Sequence, residues 1–204
     1  NLITLNSPNN TNNIKFDTQI ELSPFYLNSN ITFNKPNLNF LVDKLIFSIL
    51  NLKPDLLGNF NGDIKFLLTN IKHELIRNGS ISLNISQKII NFTEVLFNIG
   101  DIGTVKTELK YSEENGDTIF RSSNSLLIKN KNQFAKKFQV KLDKLKNLNV
   151  INFKIEKNIN TGSVSIFDIR INQDVNYGKK NGKSKYNIRN SQELKSLVKN
   201  IINS

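Results

Sequence analysis

Apolar and polar residues alternate along most of this chain. Ile14, Phe16, Thr18, Ile20 and Leu22 fall on one side of an extended segment, with Lys15, Asp17, Gln19 and Glu21 on the other. Alternation of period two is the signature of a strand with one buried and one wet face. The habit recurs at Ile64, Phe66 and Leu68, and at Ile81, Leu83 and Ile85 against Ser80, Ser82 and Asn84. It returns at Val105, Thr107, Leu109 and Tyr111 against Thr104, Lys106, Glu108 and Lys110, and at Ile151, Phe153 and Ile155. Phe25–Phe33, after Pro24, predicts a less regular strand, and Lys88–Phe97 a central one with apolar residues on both faces. Asn115-Gly116 between Glu114 and Asp117 predicts a tight hairpin, because Asn-Gly tolerates the positive φ of a type I′ turn; the return strand is Thr118–Ile128. Ser163–Ile171 changes parity between Ile166 and Phe167, which predicts a bulge.

Three segments change period. Leu38, Leu41, Val42, Leu45, Ile46, Ile49 and Leu50 fall at helical spacing, with Asn37 as N-cap and Pro54 barring continuation. This predicts a helix near 38–50, packed on the sheet or gating an apolar groove. Lys131–Val140 predicts a short helix with Phe134 and Phe138 one turn apart. Asn190 and Glu193 open a terminal helix over 190–203 with a capping-box start, and Leu194, Leu197, Val198, Ile201 and Ile202 form its stripe. Asn70–Arg77 predicts one helical turn or two. The fold class is therefore mainly β with a few short helices.

Composition narrows the chemistry. The chain has no Cys, so it has no disulfide, no thiolate metal site and no Cys nucleophile. His73 is its single histidine, in a surface-like Lys72-His73-Glu74 context, so no triad or zinc site can be assembled from His and Cys. Asp43, Asp55, Asp63 and Asp101 stand beside Gly or at helix starts, where turn and cap roles are expected. No catalytic residue, metal or cofactor is predicted. The net charge is +11, part of which matches the Asn- and Lys-rich usage of an AT-rich genome. Nucleic acid is not an expected partner, because the polar strand faces offer Asn, Ser and Glu where stacking aromatics are needed. No apolar run approaches the ~20 residues that span a bilayer. The chain begins at Asn1 without Met, which reads as a segment whose anchor, if any, lies upstream.

The run Asp55-Leu56-Leu57-Gly58-Asn59-Phe60-Asn61-Gly62-Asp63-Ile64, with the strand after it, resembles the AsmA-like family (AsmA/TamB-type repeating β-groove envelope proteins) in its alphaproteobacterial C-terminal segments. Ile99-Gly100 before Val105–Tyr111, the Glu114-Asn115-Gly116 hairpin and Phe134-Ala135-Lys136-Lys137-Phe138-Gln139-Val140 extend the likeness over about residues 37–204. The resemblance implies a curved, elongated antiparallel sheet, a taco-like β-groove with an apolar inner face. It divides the chain into N-terminal strands at 1–36, continuing from upstream, and a groove region at 37–204 with the terminal helix. It further implies a periplasmic region of an inner-membrane-anchored protein that shields phospholipid in transit to the outer membrane. The lane residues would be Ile64, Phe66, Leu68, Ile81, Leu83, Ile85, Val105, Leu109, Ile151, Phe153 and Ile155.

Two readings of the apolar faces stand side by side. Each buried Ile, Leu or Phe contributes roughly 1.5–3 kcal/mol, so faces of this size must be covered. Either the sheet closes over itself as a β-sandwich or is covered by the three helices, as a structural or protein-binding module, or part of the face stays open for acyl chains. The basic clusters around Lys136 and Lys137 and around Lys179 and Lys180 are solvated loop charge or contacts to anionic headgroups.

Overall fold

The computed structural model of the chain describes residues 2–7, 13–37, 61–86, 89–172, 175–176 and 186–203. The structure is mainly β, and it divides into two compact units, 1–97 and 98–204.

The first unit carries β1 (Leu2–Asn6), β2 (Ile14–Leu22), β3 (Phe25–Asn34), β4 (Asn61–Thr69), β5 (Asn78–Ser86) and most of β6 (Ile89–Ile99), hydrogen-bonded in chain order. Neighbours are antiparallel at β1–β2, β2–β3 and β4–β5. The β3–β4 pair is parallel, from Tyr26 opposite Asn61 to Asn34 opposite Thr69, which makes the sheet mixed where an antiparallel one is expected. The reason lies in the connection: parallel neighbours need a crossover of about a dozen residues or more, and the chain between Asn34 and Asn61 is long enough. The expected helix at 38–50 falls in that connection and lies outside the described residues.

Gly62 is required where β4 meets β3. A Cβ there would stand 2.4 Å from the Leu27 carbonyl oxygen. Residues 71–77, expected to make one helical turn or two, form an irregular loop with bends at 72–75 instead. Ile71 and Leu75 are buried beneath them, and the Ile71 N–H donates to the Arg77 carbonyl at 2.7 Å. Burying the two apolar residues through a closed loop takes the place of helical hydrogen bonding.

The second unit holds β7 (Gly103–Glu114), β8 (Asp117–Ile128), β9 (Val150–Asn158), β10 (Val164–Ile171) and the short β11 (Val175–Asn176) and β12 (Tyr186–Asn187). β7 to β10 pair antiparallel in order, and β11 and β12 both pair with β10. The hairpin forms as expected, with Glu114 opposite Asp117 and Asn115 and Gly116 at φ 53° and 82°. The predicted bulge is present between Phe167 and Arg170, with Asp168 at φ 52°.

α1 (Lys131–Phe138) begins where the Asn130 Oδ1 accepts from the Gln133 N–H, and ends with Gln139 in the left-handed conformation. Its spacing stacks Phe134 on Phe138, ring centroids 4.6 Å apart, and both are buried. A 3-10 turn at Leu142–Leu145 follows, burying Leu145. α2 (Ser191–Asn203) packs against α1. It starts as predicted: Asn190 Oδ1 accepts from the Glu193 N–H at 3.0 Å, while Glu193 Oε2 accepts from the Arg189 N–H at 2.9 Å.

Candidate functional site

Register decides which side chains share a face. In the first unit Ile64 lies opposite Leu83, Phe66 opposite Ile81, and Gly62 opposite Ile85. On the other side of β4, Leu68 lies opposite Phe33, Phe66 opposite Ile31 and Ile64 opposite Ser29. The row continues through Phe16 opposite Ile31 and Ile14 opposite Phe33, and reaches β1 with Ile3 opposite Ile20. All six lane residues of this unit therefore stand on one apolar face, which runs without a change of side from β5 to β1.

Coverage along that face is uneven. Phe66, Leu68, Ile81, Leu83 and Ile85 are buried, and Ile64 is half-buried. The Phe66 ring lies 6.1 Å from that of Phe33. Toward β2 and β1 the same face opens: Phe16 is 38% exposed, Ile14 47% and Leu5 47%. One polar contact interrupts it. Thr18 and Ser29 lie opposite each other and share a hydroxyl hydrogen bond of 2.7 Å, with Ser29 buried.

In the second unit, Val105 and Ile151 flank Leu126, Leu109 and Ile155 flank Ser122, and Phe153 lies opposite Asn124. These five lane residues also share one face, with Ile151 buried and the other four half-buried. A polar contact interrupts this face too: Thr107 Oγ1 donates to Asn124 Oδ1 at 2.8 Å, and the Asn124 amide donates to Ser122 Oγ at 2.9 Å. Buried Asn124 is thus satisfied by its neighbours, which burial of an amide requires.

The opposite faces are polar and cross-linked. Asp63 accepts from the Asn84 amide at 2.8 Å and from the Tyr26 hydroxyl. The Asn84 bond, then the Tyr26 bond, hold the Asp63 carboxyl below its ordinary range, and the same contact with Asp63 pushes the Tyr26 hydroxyl up. Arg121 forks onto Glu114, with Nη2 donating to Oε2 at 2.8 Å, and Nε donates to Glu156 at 3.1 Å. Arg121 first and Ser112 second lower the Glu114 carboxyl to about 2.

Lys136 is exposed and Lys137 half-buried in the last turn of α1, where cations complement the helix dipole. Lys179 and Lys180 lie outside the described residues. His73 is exposed, as expected, and has a structural task besides: its Nδ1 accepts from the Leu75 and Ile76 N–H groups, each at 3.2 Å, closing the 71–77 loop. Among the described residues no cluster of His, Cys, Asp and Glu could hold a metal ion, and no helix is long and apolar enough to cross a membrane.

Sequence reasoning left Ile3, Leu5, Ile14, Phe16 and Ile31 out of the lane, although the structure sets them on the same face as Phe66. Their alternation was visible. The parallel β3–β4 register that joins them to β4 was not, because it depends on a pairing remote in sequence. No protein-family model, curated protein or solved structure matches this chain.

Proposed function

We propose that the apolar strand faces shield phospholipid acyl chains, and that the chain is a non-catalytic segment of a bacterial envelope protein moving lipid between inner and outer membranes. The observation that carries this reading is the open stretch of the first unit's apolar face, where Leu5, Ile14 and Phe16 stay exposed in line with buried Phe66. Contiguous exposed apolar surface of this kind marks a binding surface for protein or lipid. Acyl chains suit it because they need no hydrogen-bond partner and gain about 0.8 kcal/mol per buried CH₂. The AsmA-like resemblance supplies the periplasmic setting and an inner-membrane anchor outside this segment.

The sealed part of the face supports the second reading, a structural or protein-binding module of the envelope. Phe66, Leu68 and Leu83 are as fully buried as the residues of an ordinary core. The two readings separate experimentally. Lipid extraction with native mass spectrometry of the purified chain should recover phospholipid, and Ile14→Glu with Phe16→Lys should abolish it while the fold survives. A folded chain that neither copurifies lipid nor takes up a fluorescent phospholipid would sink the transport reading. A charge at Leu83 would not serve, since that residue is buried and the substitution tests stability instead.

A further inference from the structure

The polar face of the second unit holds a feature that the acyl-chain reading does not use. A trough of about 620 Å³ lies along it. Its origin is a step in side-chain length. β8 presents Ser123 and Ser125 in mid-strand, and β9 adds Asn152, so the floor is short and rich in hydroxyl and amide groups. Lys106 and Glu108 on β7 form one wall. Lys154 on β9, with Asp168 and Arg170 on β10, forms the other.

The second wall is fixed in place. Asp168 sits in the bulge of β10 at positive φ, an irregularity that re-aims a side chain. Its carboxylate accepts from Lys154 Nζ at 2.8 Å and from Arg170 Nε at 2.9 Å. Both cations are therefore held at the trough with donors to spare, since Lys carries three and Arg five. The Lys154 bond first, then Arg170, hold the Asp168 carboxyl below its ordinary range.

Register sets the pattern of the floor. Lys106, Ser125, Asn152 and Arg170 form one row across four strands. Three strand spacings put its ends roughly 14 Å apart at the backbone, and two long side chains can lean inward from there. Ser125 Oγ donates to Asn152 Oδ1 at 2.6 Å, which engages the amide oxygen and leaves the NH₂ as the donor side of Asn152. The row thus reads cation, hydroxyl, amide donor, cation.

We propose that this trough binds an elongated, hydroxyl-bearing ligand with an acidic group at each end, in the class of sugar bisphosphates and doubly acidic oligosaccharides. The cations take the terminal anions, while Ser123, Ser125 and Asn152 pair with hydroxyls between them. Lane residue Phe153 and its neighbour Asn124 also border the trough. The proposed polar contacts nonetheless come from Lys106, Ser123, Ser125, Asn152, Lys154 and Arg170, none of them lane residues, so the site does not depend on the acyl-chain reading.

Titrating fructose 1,6-bisphosphate into the ¹⁵N-labelled chain tests it. Saturable amide shifts are expected at Ser123, Ser125 and Asn152, and none with fructose at the same concentration. Lys106→Glu with Arg170→Glu should weaken binding by at least about tenfold, as expected when both charge-assisted contacts go. Ser123→Trp fills the floor and should abolish binding even if the charge variant folds poorly. Lys144→Glu, on the 3-10 turn, should bind as the parent does. Absent shifts at the three floor amides, or retained binding in a folded Ser123→Trp variant, would overturn the site. So would inorganic phosphate reproducing the same shifts, since that requires charge alone.

Discussion

β2 and β4 have nearly the same pattern and opposite fates. Ile14, Phe16, Thr18, Ile20 and Leu22 alternate with polar residues, as Gly62, Ile64, Phe66 and Leu68 do with the one exception of Leu67, and the register puts both sets on one face. Phe66 is 1% exposed, whereas Phe16 is 38% exposed. Alternation chooses the side of the sheet a residue faces. It does not choose whether anything packs there. A face of one alternation pattern thus has a structural half at β4–β5 and an exposed half at β1–β2, and the proposed function assigns the lipid tail to the exposed half.

The sharpest way to break the comparison is to truncate both aromatics. Phe66→Ala should cost about 3–5 kcal/mol of unfolding free energy, the range for a buried Phe, and Phe16→Ala less than about 1. Urea denaturation of the two variants measures the difference; equal losses would mean that the β2 face is covered in solution. Gly62→Val comes next. Its side chain would drive into the Leu27 backbone at the parallel pair joining the two halves, at a cost of about 1–3 kcal/mol by overpacking. A smaller effect is expected at the hydroxyl contact within the face. Thr18→Val leaves buried Ser29 without that partner and should cost about 1–2 kcal/mol, and Ser29→Ala added to it should recover part of the loss in a double-mutant cycle.

The polar faces give the smallest expected change, and one with a defined pH sign. Glu114 titrates at about 2 when folded, against an ordinary 4.5. A carboxyl lowered by folding binds fewer protons in the native state, so its contribution is complete above 4.5 and fades as pH falls toward about 2. Glu114→Gln should therefore lower the urea midpoint slightly above that window and leave it unchanged below. Because the apolar halves do not titrate, the gap between Phe66→Ala and Phe16→Ala should persist across the same range.

Much of this was legible from local pattern. The Asn115-Gly116 turn, the Asn190–Glu193 cap, the Phe134–Phe138 stack and the bulge after Ile166 each depend on residues within a few positions of one another. The 71–77 loop was misread for the complementary reason. A helix-compatible run was overridden by the burial of Ile71 and Leu75 and by His73 accepting two backbone N–H groups. The trough had no local signature at all, since Lys106, Ser125, Asn152 and Arg170 come from four strands.

By itself, the sequence determined the longer strands β2 to β10, their tightest turn and the apolar side of the regularly alternating ones, because periodicity and turn chemistry act over a few residues. Only the tertiary structure decided that β3 runs parallel to β4, that Phe66 is covered and Phe16 is not, and that a row of polar groups crosses β7 to β10. Those outcomes depend on register between distant segments, where a shift of one residue would send every side chain of a strand to the other face.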